Sequence, residues 1–347
     1  MRAIVYARHG GPSVLELVER TAREPRPGEV RVRVAVSAVN PTDWKSRSGA
    51  TGGPVPEPTV PNHDGAGVVE AVGSGVEGLA AGDRVWVTLA GHGRPAGGTA
   101  QESTVVPAEL VFPLPPNASF DVGASVGIPG VTAHRALTVA EGGPSRLEPG
   151  ALAGAHVLVA GGAGAVGNAA IQLARWAGAT VIATISSDEK ARLAASAGAH
   201  HTVDYTGDDA ADRIRGLAPD GVDLVVEVAP VANAALDQAV LRARGTISIY
   251  ASEGPPLALD VRPNMNLNAR YQFILVYTVG GERIAAAAAD VTGAIADGAY
   301  DVGDARGLPL HRFPLERTAD AHAAVEAGAV GKVLVDVAPG LAGAGGR

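Results

Sequence analysis

The chain has 347 residues, which exceeds the size at which a single hydrophobic core usually stops growing, so we expect two domains. Apolar residues make up 46% and charged residues 18%, a balance that suits packed strands and helices and excludes a disordered chain. The net charge is −8 and the basic residues are scattered, so neither nucleic acid nor an anionic membrane surface is an expected partner.

The sequence contains no cysteine, which excludes disulfides, thiolate nucleophiles and zinc sites built on cysteine. Residues 1–6 suggest a short strand and lack the apolar stretch of a signal peptide. The uncharged stretch 152–173 is interrupted by glycines, which predicts a buried strand, a turn and a helix in place of a membrane span. We therefore expect a cytoplasmic protein that does not cross a membrane.

Up to about residue 120, short runs of β-forming residues are broken by Gly and Pro, so this half is expected to be all-β and barrel-like. The predicted strands lie at 30–39, 67–72, 84–89 and 103–106. From about residue 122 to 279, strands and helices alternate, which is typical of a parallel sheet with crossover helices. The predicted strands here lie at 156–160, 180–185, 222–228 and 246–250, with helices such as 166–176 and 189–197 between them.

An apolar run from Tyr271 to Val279 predicts a further strand, which would be an exposed sheet edge unless it were paired. Pairing with a second copy of the chain would cover that edge, so we expect a homodimer. The remaining sequence predicts a helix at 319–327, a strand at 332–337 and a Gly- and Ala-rich tail without regular structure.

A glycine-rich turn follows the predicted strand 156–160 and precedes the predicted helix, with the spacing Gly162-x-Gly164-x-x-Gly167. Glycines at these positions allow a tight turn, a close backbone approach to a pyrophosphate and close packing of helix on strand. The helix N-terminus then faces the anion. This context favours a dinucleotide site over a turn that serves packing alone.

The second strand of that unit ends near Ser186, where an NAD-binding site usually carries an acid for the ribose 2′-hydroxyl. This sequence has Ser186 and Ser187 there, followed by Lys190 and Arg192. Hydroxyls and cations favour the 2′-phosphate of NADPH. The alternative is that Lys190 and Arg192 are solvated residues on an exposed helix turn, which the neighbouring acids leave open.

The glycine turn continues with the residues NAAIQLAR, from Asn168 to Arg175, and this stretch resembles the signature of the quinone oxidoreductase (zeta-crystallin-like) family of the medium-chain dehydrogenase/reductase superfamily. Other segments fall in the order of that family: SAVNPTDWK from Ser37, PNHDGAGVV from Pro61, GDRV from Gly82, GVTA from Gly130 and GKV from Gly331. The resemblance covers residues 1–338.

The resemblance implies an α/β fold in which a Rossmann domain with a doubly wound parallel sheet accompanies a GroES-like β-barrel catalytic domain, with the active site between them. The catalytic domain would span residues 1–125 and be completed by about 295–347, and the Rossmann domain would span 126–294. The implied cofactor residues are Gly162, Gly164, Ala165, Val166 and Gly167 at the pyrophosphate, Ser186, Ser187, Lys190 and Tyr205 around the 2′-phosphate, and the turn Tyr250, Ala251 and Ser252, with Asn40 and Thr132, near the nicotinamide.

The chain departs from the family pattern at several positions. Ala155 replaces the usual acid before the first Rossmann strand, and Ala165 stands where a second glycine is common. The tyrosines often found after the Asn40 loop are absent, with Trp44 and Lys45 in their neighbourhood. These differences leave cofactor binding in place and the substrate preference open.

His63 and Asp64 sit where zinc-dependent relatives carry a His-Glu pair, and Asn40 holds the position of their first cysteine ligand. A catalytic zinc takes about three protein ligands and an open position. His63, Asp64 and Asp43 remain an alternative ligand set. We instead expect no metal, with Asp43, Trp44, His63 and Asp64 lining the substrate pocket.

Without a metal, reduction of a conjugated acceptor is easier than reduction of a simple ketone, because the developing charge is delocalised and needs only hydrogen-bond donors. We therefore predict a zinc-independent, NADPH-dependent reductase of a quinone or an α,β-unsaturated carbonyl, with Asn40, Lys45 and Thr132 providing the polar environment. Lys45 is equally consistent with a surface cation. Two other functions stay open: a reductase of enoyl thioesters or of natural products, and an NADPH-binding protein without turnover.

Overall fold

The computed structural model describes residues 1–55, 57–252 and 254–342. Its strands, in chain order, are β1 (Arg2–Val5), β2 (Glu16–Glu19), β3 (Glu29–Val39), β4 (Asp64–Val72), β5 (Arg84–Val87), β6 (Ser103–Pro107), β7 (Val111–Pro113), β8 (His156–Ala160), β9 (Thr180–Ile185), β10 (His201–Asp204), β11 (Val222–Glu227), β12 (Leu241–Ile249), β13 (Arg270–Phe273), β14 (Leu310–Pro314) and β15 (Lys332–Asp336). Its α-helices are α1 (Pro41–Ser48), α2 (Phe120–Leu137), α3 (Ala165–Trp176), α4 (Asp188–Ser196), α5 (Ala210–Leu217), α6 (Pro230–Val240), α7 (Val261–Leu267), α8 (Gly281–Ala296), α9 (Thr318–Glu326) and α10 (Pro339–Ala342).

The chain forms two compact units. The first contains Met1–Ile128 and the chain from Pro309 onward, and the second contains Pro129–Leu308. Residues 295–308, which the sequence interpretation assigned to the catalytic domain, lie in the second unit, where the side chains of Asn168 and Gln172 on α3 donate hydrogen bonds to the carbonyls of Arg306 and Asp301. The domain boundaries themselves stay a prediction.

The first unit is built around β3, which is long enough to pair with several strands. It pairs antiparallel with β4 through most of its length, with β6 through residues 29–33 and with β15 through residues 36–39. The sheet has the order β14-β15-β3-β4-β5-β7, with β6 added on β3. Valines that alternate along β3, β4 and β5 fill the core between these strands, so the predicted β-rich half is confirmed. The prediction that this half is all-β is wrong, because Pro41–Ser48 form the helix α1.

The second unit contains a six-stranded parallel sheet in the order β10-β9-β8-β11-β12-β13. This is the doubly wound order of a dinucleotide-binding sheet, in which the direction of winding reverses between β8 and β11. Ligands bind such sheets at the carboxyl ends of the strands near the reversal. The strand, turn and helix predicted for 152–173 are confirmed by β8 and α3.

The strand predicted from Tyr271 to Val279 is wrong in its extent. The ladder with β12 ends at Phe273, and residues Val276–Thr278 form a single 3₁₀ turn. An apolar run shows burial or pairing but does not distinguish a strand from a turn of helix over so few residues. Of the predicted tail, Pro339–Ala342 forms α10, and residues 343–347 lie outside the described part of the chain.

Candidate active site

In the first unit, the candidate site is centred on Asn40, which lies between the end of β3 and the first residue of α1. Its backbone N–H donates to Asp43 Oδ2 at 2.6 Å, which ties the first turn of α1 to the strand end. The Asn40 side chain is 2% exposed, so its amide groups need partners inside the protein. Its Nδ2 donates to Asp64 Oδ2 at 2.7 Å, and its Oδ1 accepts from Lys332 Nζ at 2.5 Å.

Asp64 begins β4 and is buried. Besides Asn40, its carboxylate accepts the hydroxyl of Thr88 at 2.9 Å and the backbone N–H of Ile128 on α2 at 2.8 Å. A Cβ on Gly127 would come within 2.2 Å of Asp64 Oδ1, so only glycine lets the helix backbone approach this carboxylate. Burial raises the pKa of Asp64, whereas the Lys332 ammonium and these donors oppose the increase.

Asp43 and His63 lie side by side, with 3.8 Å between Asp43 Oδ1 and His63 Nε2. Burial raises the pKa of Asp43 to about 8, and hydrogen bonds from the backbone of Asn40 and His63 only partly offset this. Burial lowers the pKa of His63 to about 3, an effect increased by the nearby charges of His92 and Arg94. Burial therefore favours the neutral form of both side chains.

The other predicted pocket residues of this unit lie on α1. Lys45 Nζ is 5.7 Å from the centre of the Trp44 ring, within the range of a cation–π contact. Both side chains are half-buried, so Lys45 is not simply a solvated surface cation. Thr132 lies on α2 in the second unit and is 6% exposed. The structure thus brings Asn40, Asp43, His63 and Asp64 together within the first unit.

The alternative zinc site does not match this geometry. Among residues 1–55, 57–252 and 254–342, no group of three or more His, Cys, Asp or Glu side chains is arranged to hold a metal ion. Asp64 uses both carboxylate oxygens to accept hydrogen bonds from Asn40, Thr88 and Ile128. The residues present therefore do not fit a catalytic zinc.

In the second unit, the glycine turn lies between β8 and α3. Gly164 precedes the first residue of α3, and no side chain hydrogen-bonds the first amides of this helix. A Cβ on Gly167 would come within 2.3 Å of the Gly161 carbonyl oxygen, so this glycine is needed for the close approach of helix and turn. Ala165 and Val166 form the first turn of α3. The first backbone N–H groups of α3 have no side-chain partner and can therefore bind an anion such as a pyrophosphate.

The predicted 2′-phosphate residues meet at the carboxyl ends of β9 and β10. Lys190 Nζ donates to Ser186 Oγ at 3.0 Å. The Ser187 hydroxyl has a second role, because it caps α4 by accepting the backbone N–H of Lys190 at 3.3 Å. Tyr205 follows β10 and is 43% exposed, so its ring is available at the surface beside them. Arg192 is exposed.

The predicted nicotinamide turn lines a cavity of about 730 Å³ at the ends of β12 and β13, a volume in the usual range for small-molecule pockets. Tyr250, Ala251 and Ser252 form one part of its wall, and Phe273 and Leu275 contribute another. Tyr250 has its pKa raised by burial and by the nearby Glu227 carboxylate.

Sequence reasoning missed two groups of buried polar residues. The first is Lys332, which it noted only as part of the GKV segment. The second is the pair Glu227 and Asp237, whose exposed fractions are 0% and 3%. Asp237 hydrogen-bonds Glu227, and the pKa of each carboxyl is raised, chiefly by burial. The signal that identifies the second group is Glu227 directly after three apolar residues at the end of β11, with Asn233 and Asp237 on the following helix.

Two domain families match the chain: the "Alcohol dehydrogenase GroES-like domain" over residues 26–116 and the "Zinc-binding dehydrogenase" domain over residues 165–292. The quinone oxidoreductase of Lama guanicoe is 32% identical over 339 residues, which are 96% of this chain and 97% of that protein. The chain belongs to the quinone oxidoreductase family of the medium-chain dehydrogenases/reductases. This family is one of oxidoreductases, and the predicted combination of a GroES-like domain and a Rossmann sheet is confirmed.

Other members of the wider superfamily are similar over shorter segments or in structure. The chloroplastic NADPH-dependent alkenal/one oxidoreductase of Arabidopsis thaliana is 37% identical over 235 residues, or 65% of this chain and 57% of that protein. The structure of Escherichia coli quinone oxidoreductase complexed with NADPH superposes with a TM-score of 0.78 at 25% identity, covering 97% of this chain and all of that one. No helix in the described part of the chain is both long and apolar enough to span a membrane.

Proposed function

We propose that this member of the quinone oxidoreductase family transfers hydride from NADPH to a quinone or an α,β-unsaturated carbonyl, and that it does so without zinc. The observation that carries the proposal is the contact between Lys190 Nζ and Ser186 Oγ at the end of β9. An NAD site places an acid at this point of the sheet. A hydroxyl and an ammonium favour a 2′-phosphate instead, because both can donate hydrogen bonds to an anion.

The glycine turn fits the diphosphate of this cofactor. The first amides of α3 have no side-chain cap, and Gly167 packs against Gly161 without space for a Cβ. When bound, NADPH supplies the hydride. The family resemblance places Tyr250, Ala251 and Ser252 by the nicotinamide, and the 730 Å³ cavity that these residues line supports that assignment.

The names of the relatives support the same cofactor and acceptor class. The Escherichia coli quinone oxidoreductase structure contains NADPH, and the Arabidopsis relative is described as an NADPH-dependent alkenal/one oxidoreductase. Quinones and enones are both conjugated acceptors, on which negative charge that develops during hydride transfer is delocalised. Such acceptors need donors of hydrogen bonds more than they need a Lewis acid.

We assign these donors to Asn40, Thr132 and Lys45. An amide has two N–H groups, and one of those on Asn40 Nδ2 is used by Asp64. Within the described residues, the second has no hydrogen-bond partner, so it is available to an acceptor oxygen. Asp43, Trp44, His63 and Asp64 are proposed to shape the substrate pocket. The hydrogen bonds of this site also support independence from zinc, since both oxygens of Asp64 already accept hydrogen bonds and cysteine is absent.

We further propose a homodimer formed through the edge strand β13. Phe273 is 64% exposed and Leu275 is 57% exposed, although both are large and apolar. The backbone of an edge strand is unpaired on one side, so a second copy of the strand would cover the apolar side chains and the unpaired edge together. The cytoplasmic location stays a prediction.

The test is a panel of quinones, enones and enoyl thioesters offered to the purified chain with NADPH and with NADH. We expect kcat/KM for NADPH to exceed that for NADH by at least about 10-fold, because a charge-assisted hydrogen bond contributes about 1.5–3 kcal/mol. Activity is expected to survive dialysis against a chelator. Turnover of thioesters alone would select the thioester reductase, and tight NADPH binding without turnover would select the binding protein. Loss of activity that zinc restores would contradict zinc independence.

A further inference from the structure

A lysine is buried in the core of the first unit. Lys332 begins β15 and is 2% exposed. Lysine is almost never fully buried unless its charge has partners, because removing an ammonium from water costs several kcal/mol. The sequence contains three lysines, Lys45, Lys190 and Lys332, among 28 basic residues, and the other two already belong to the candidate site. The side chain of Lys332 must therefore have polar partners inside the first unit.

The only hydrogen-bond partner of Lys332 Nζ among the described residues is Asn40 Oδ1, at 2.5 Å. The Asp64 and Asp43 carboxylates are near enough to raise the pKa of Lys332, against the decrease caused by burial. Neither carboxylate is within ion-pair distance in the part of the chain that the structure describes. The Asn40 amide lies between the charges, since it accepts from Lys332 and donates to Asp64.

These contacts determine the orientation of the amide. Lysine can only donate and a carboxylate can only accept, so Asn40 Oδ1 must face Lys332 and Nδ2 must face Asp64. The reversed amide would face Lys332 with N–H groups and Asp64 with a carbonyl, and both contacts would be repulsive. The Lys332 ammonium thus fixes the direction of the remaining Nδ2–H.

A basic and an acidic side chain face each other across the Asn40 amide. Lys332 lies on its carbonyl side and Asp64 on its N–H side, so an ammonium and a carboxylate there compensate each other. A divalent cation beside Asn40 and Asp64 would lie close to the ammonium of Lys332, which would repel it.

We propose that Lys332 is the internal cation of this site and a positioning residue for Asn40, which explains why the residues do not fit zinc. The proposal rests on the proposed function for its catalytic consequence. Lys332 holds Asn40 ready to donate to the acceptor oxygen and keeps Asp64 ionised without a metal. It does not itself contact the reacting atoms.

The first test is a double-mutant cycle on the full-length chain with Lys332→Met, Asp64→Asn and the double variant. Lys332→Met should lower kcat about 10- to 100-fold, because a misplaced group near the reaction can cost about that much. KM for NADPH should change less than about threefold, since the predicted contacts to the pyrophosphate and the 2′-phosphate lie in the other unit. The double variant buries no uncompensated charge, so it should recover at least about fivefold over Lys332→Met, together with a higher thermal midpoint.

The matched control is Arg47→Met, which removes another buried cation of the same unit. Arg47 is 0% exposed and bonds Gly10 O and Glu326, away from Asn40. The Arg47→Met variant should have a lower thermal midpoint than the wild type. The kcat of its folded fraction should stay within about twofold of the wild-type value, if loss of a buried cation alone does not impair turnover. A Lys332→Met kcat within about twofold of the wild type, or multiplicative losses in the double variant, would overturn the proposal.

A second test uses the wild-type chain and does not depend on how any variant folds or on turnover. Labelling of lysine Nζ with ¹⁵N gives three signals, and Lys332 is identified as the one absent from a variant or, failing that, by elimination with Lys45→Arg and Lys190→Arg. A buried ammonium held by Asn40 should show slowly exchanging protons at neutral pH, unlike the other two. Fast exchange of the Lys332 Nζ protons, or a neutral Lys332 amine, would contradict the proposal that Lys332 is an internal cation. Slow exchange without activity on any acceptor would count only against the proposed function.

Discussion

Lys190 is the side chain to which we assign the preference for NADPH. Its ammonium lies 3.0 Å from Ser186 Oγ at the carboxyl end of β9, whereas Arg192, two residues later on α4, is exposed. The sequence left open whether these two cations bind a phosphate or are merely solvated. The geometry separates them, because only Lys190 is directed back to the strand end.

We therefore predict that Lys190→Ala raises KM for NADPH about 10- to 100-fold, in line with loss of a charge-assisted hydrogen bond worth about 1.5–3 kcal/mol. KM for NADH, which has no 2′-phosphate, should stay within about twofold. Steady-state kinetics with both cofactors measures the difference. Arg192→Ala is the matched control and should change neither value by more than about threefold, and equal losses for the two cofactors in Lys190→Ala would show that the site does not bind a 2′-phosphate.

The residues that local pattern could identify are those whose neighbours in sequence are also their neighbours in space. The glycine turn and Ser186 are of this kind, since each follows a strand and precedes a helix. Lys332 is not, because it meets Asn40 from 292 residues away. Only the antiparallel pairing of β15 with the end of β3 brings the two together, and no local periodicity encodes that pairing.

At the scale of the element, β11 and α6 are joined by buried carboxyls. Glu227 ends β11 and accepts hydrogen bonds from the backbone N–H of Ala229 and from Asn233 Nδ2 on α6. Asp237, further along α6, hydrogen-bonds the same carboxyl. Two carboxylates cannot approach in this way when both are charged, so the pair retains a proton. The first turns of the helix are thus held to the strand by a protonated pair.

This pair makes stability depend on pH in a defined direction. The pKa of Asp237 is raised well above 3.8 in the folded chain, so the folded state binds a proton that the unfolded state has released. Stability is therefore full below the unfolded pKa and is lost as pH rises towards the folded pKa, by at most about 1.4 kcal/mol per pH unit.

We predict that Asp237→Asn removes the contribution of this pair to the pH dependence, because the amide donates to Glu227 without a titrating proton. Urea unfolding at several pH values between about 4 and 9 measures the free energy of unfolding, which should fall less steeply with pH in the variant than in the wild type. Asp212→Asn on α5, which replaces an exposed carboxylate, is the control and should leave the slope unchanged. Parallel curves for Asp237→Asn and wild type would refute the shared proton.

Strand and helix positions were mostly predictable wherever periodicity was clean. The strands β8 and β9 match their predicted limits, and α3 and α4 begin one residue earlier than predicted. The prediction was poorer for β12, which begins at Leu241 in place of Thr246. A positive φ of 64° at Arg244 and a register shift against β11 interrupt the pattern there, and neither is visible in the order of apolar residues.

At the scale of the whole molecule, we propose that the exposed apolar residues on β13 and just after it form a surface for a second copy of the chain. We predict that Phe273→Glu converts the proposed homodimer into a monomer, because two facing charges replace an apolar contact at an unpaired sheet edge. Sedimentation velocity measures the change. Leu17→Glu on β2 is the control, since Leu17 is also an exposed apolar strand residue, at 45% exposure, but belongs to a different sheet.

Sedimentation of the wild-type chain as a monomer at micromolar concentration would disprove this assembly. Retention of the dimer in the Phe273→Glu variant would show that the interface lies elsewhere on the chain. The prediction of a dimer rested on one apolar run, and the structure shortens the strand within it. The exposed side chains of Phe273 and Leu275 nevertheless remain, so the physical reason for a partner is unchanged.

The first unit is assembled from two distant parts of the chain, and this sets an order on its synthesis. The second unit is one continuous segment that is synthesised before β14 and β15. Until β15 is made, residues 36–39 of β3 lack the strand that pairs with them on one side, and Asp64 has no ammonium near it. The sheet of the first unit therefore stays incomplete while the second unit is synthesised. During that time Asp64 lacks the ammonium of Lys332. We expect this protein to aggregate most readily in the interval before these last strands are made.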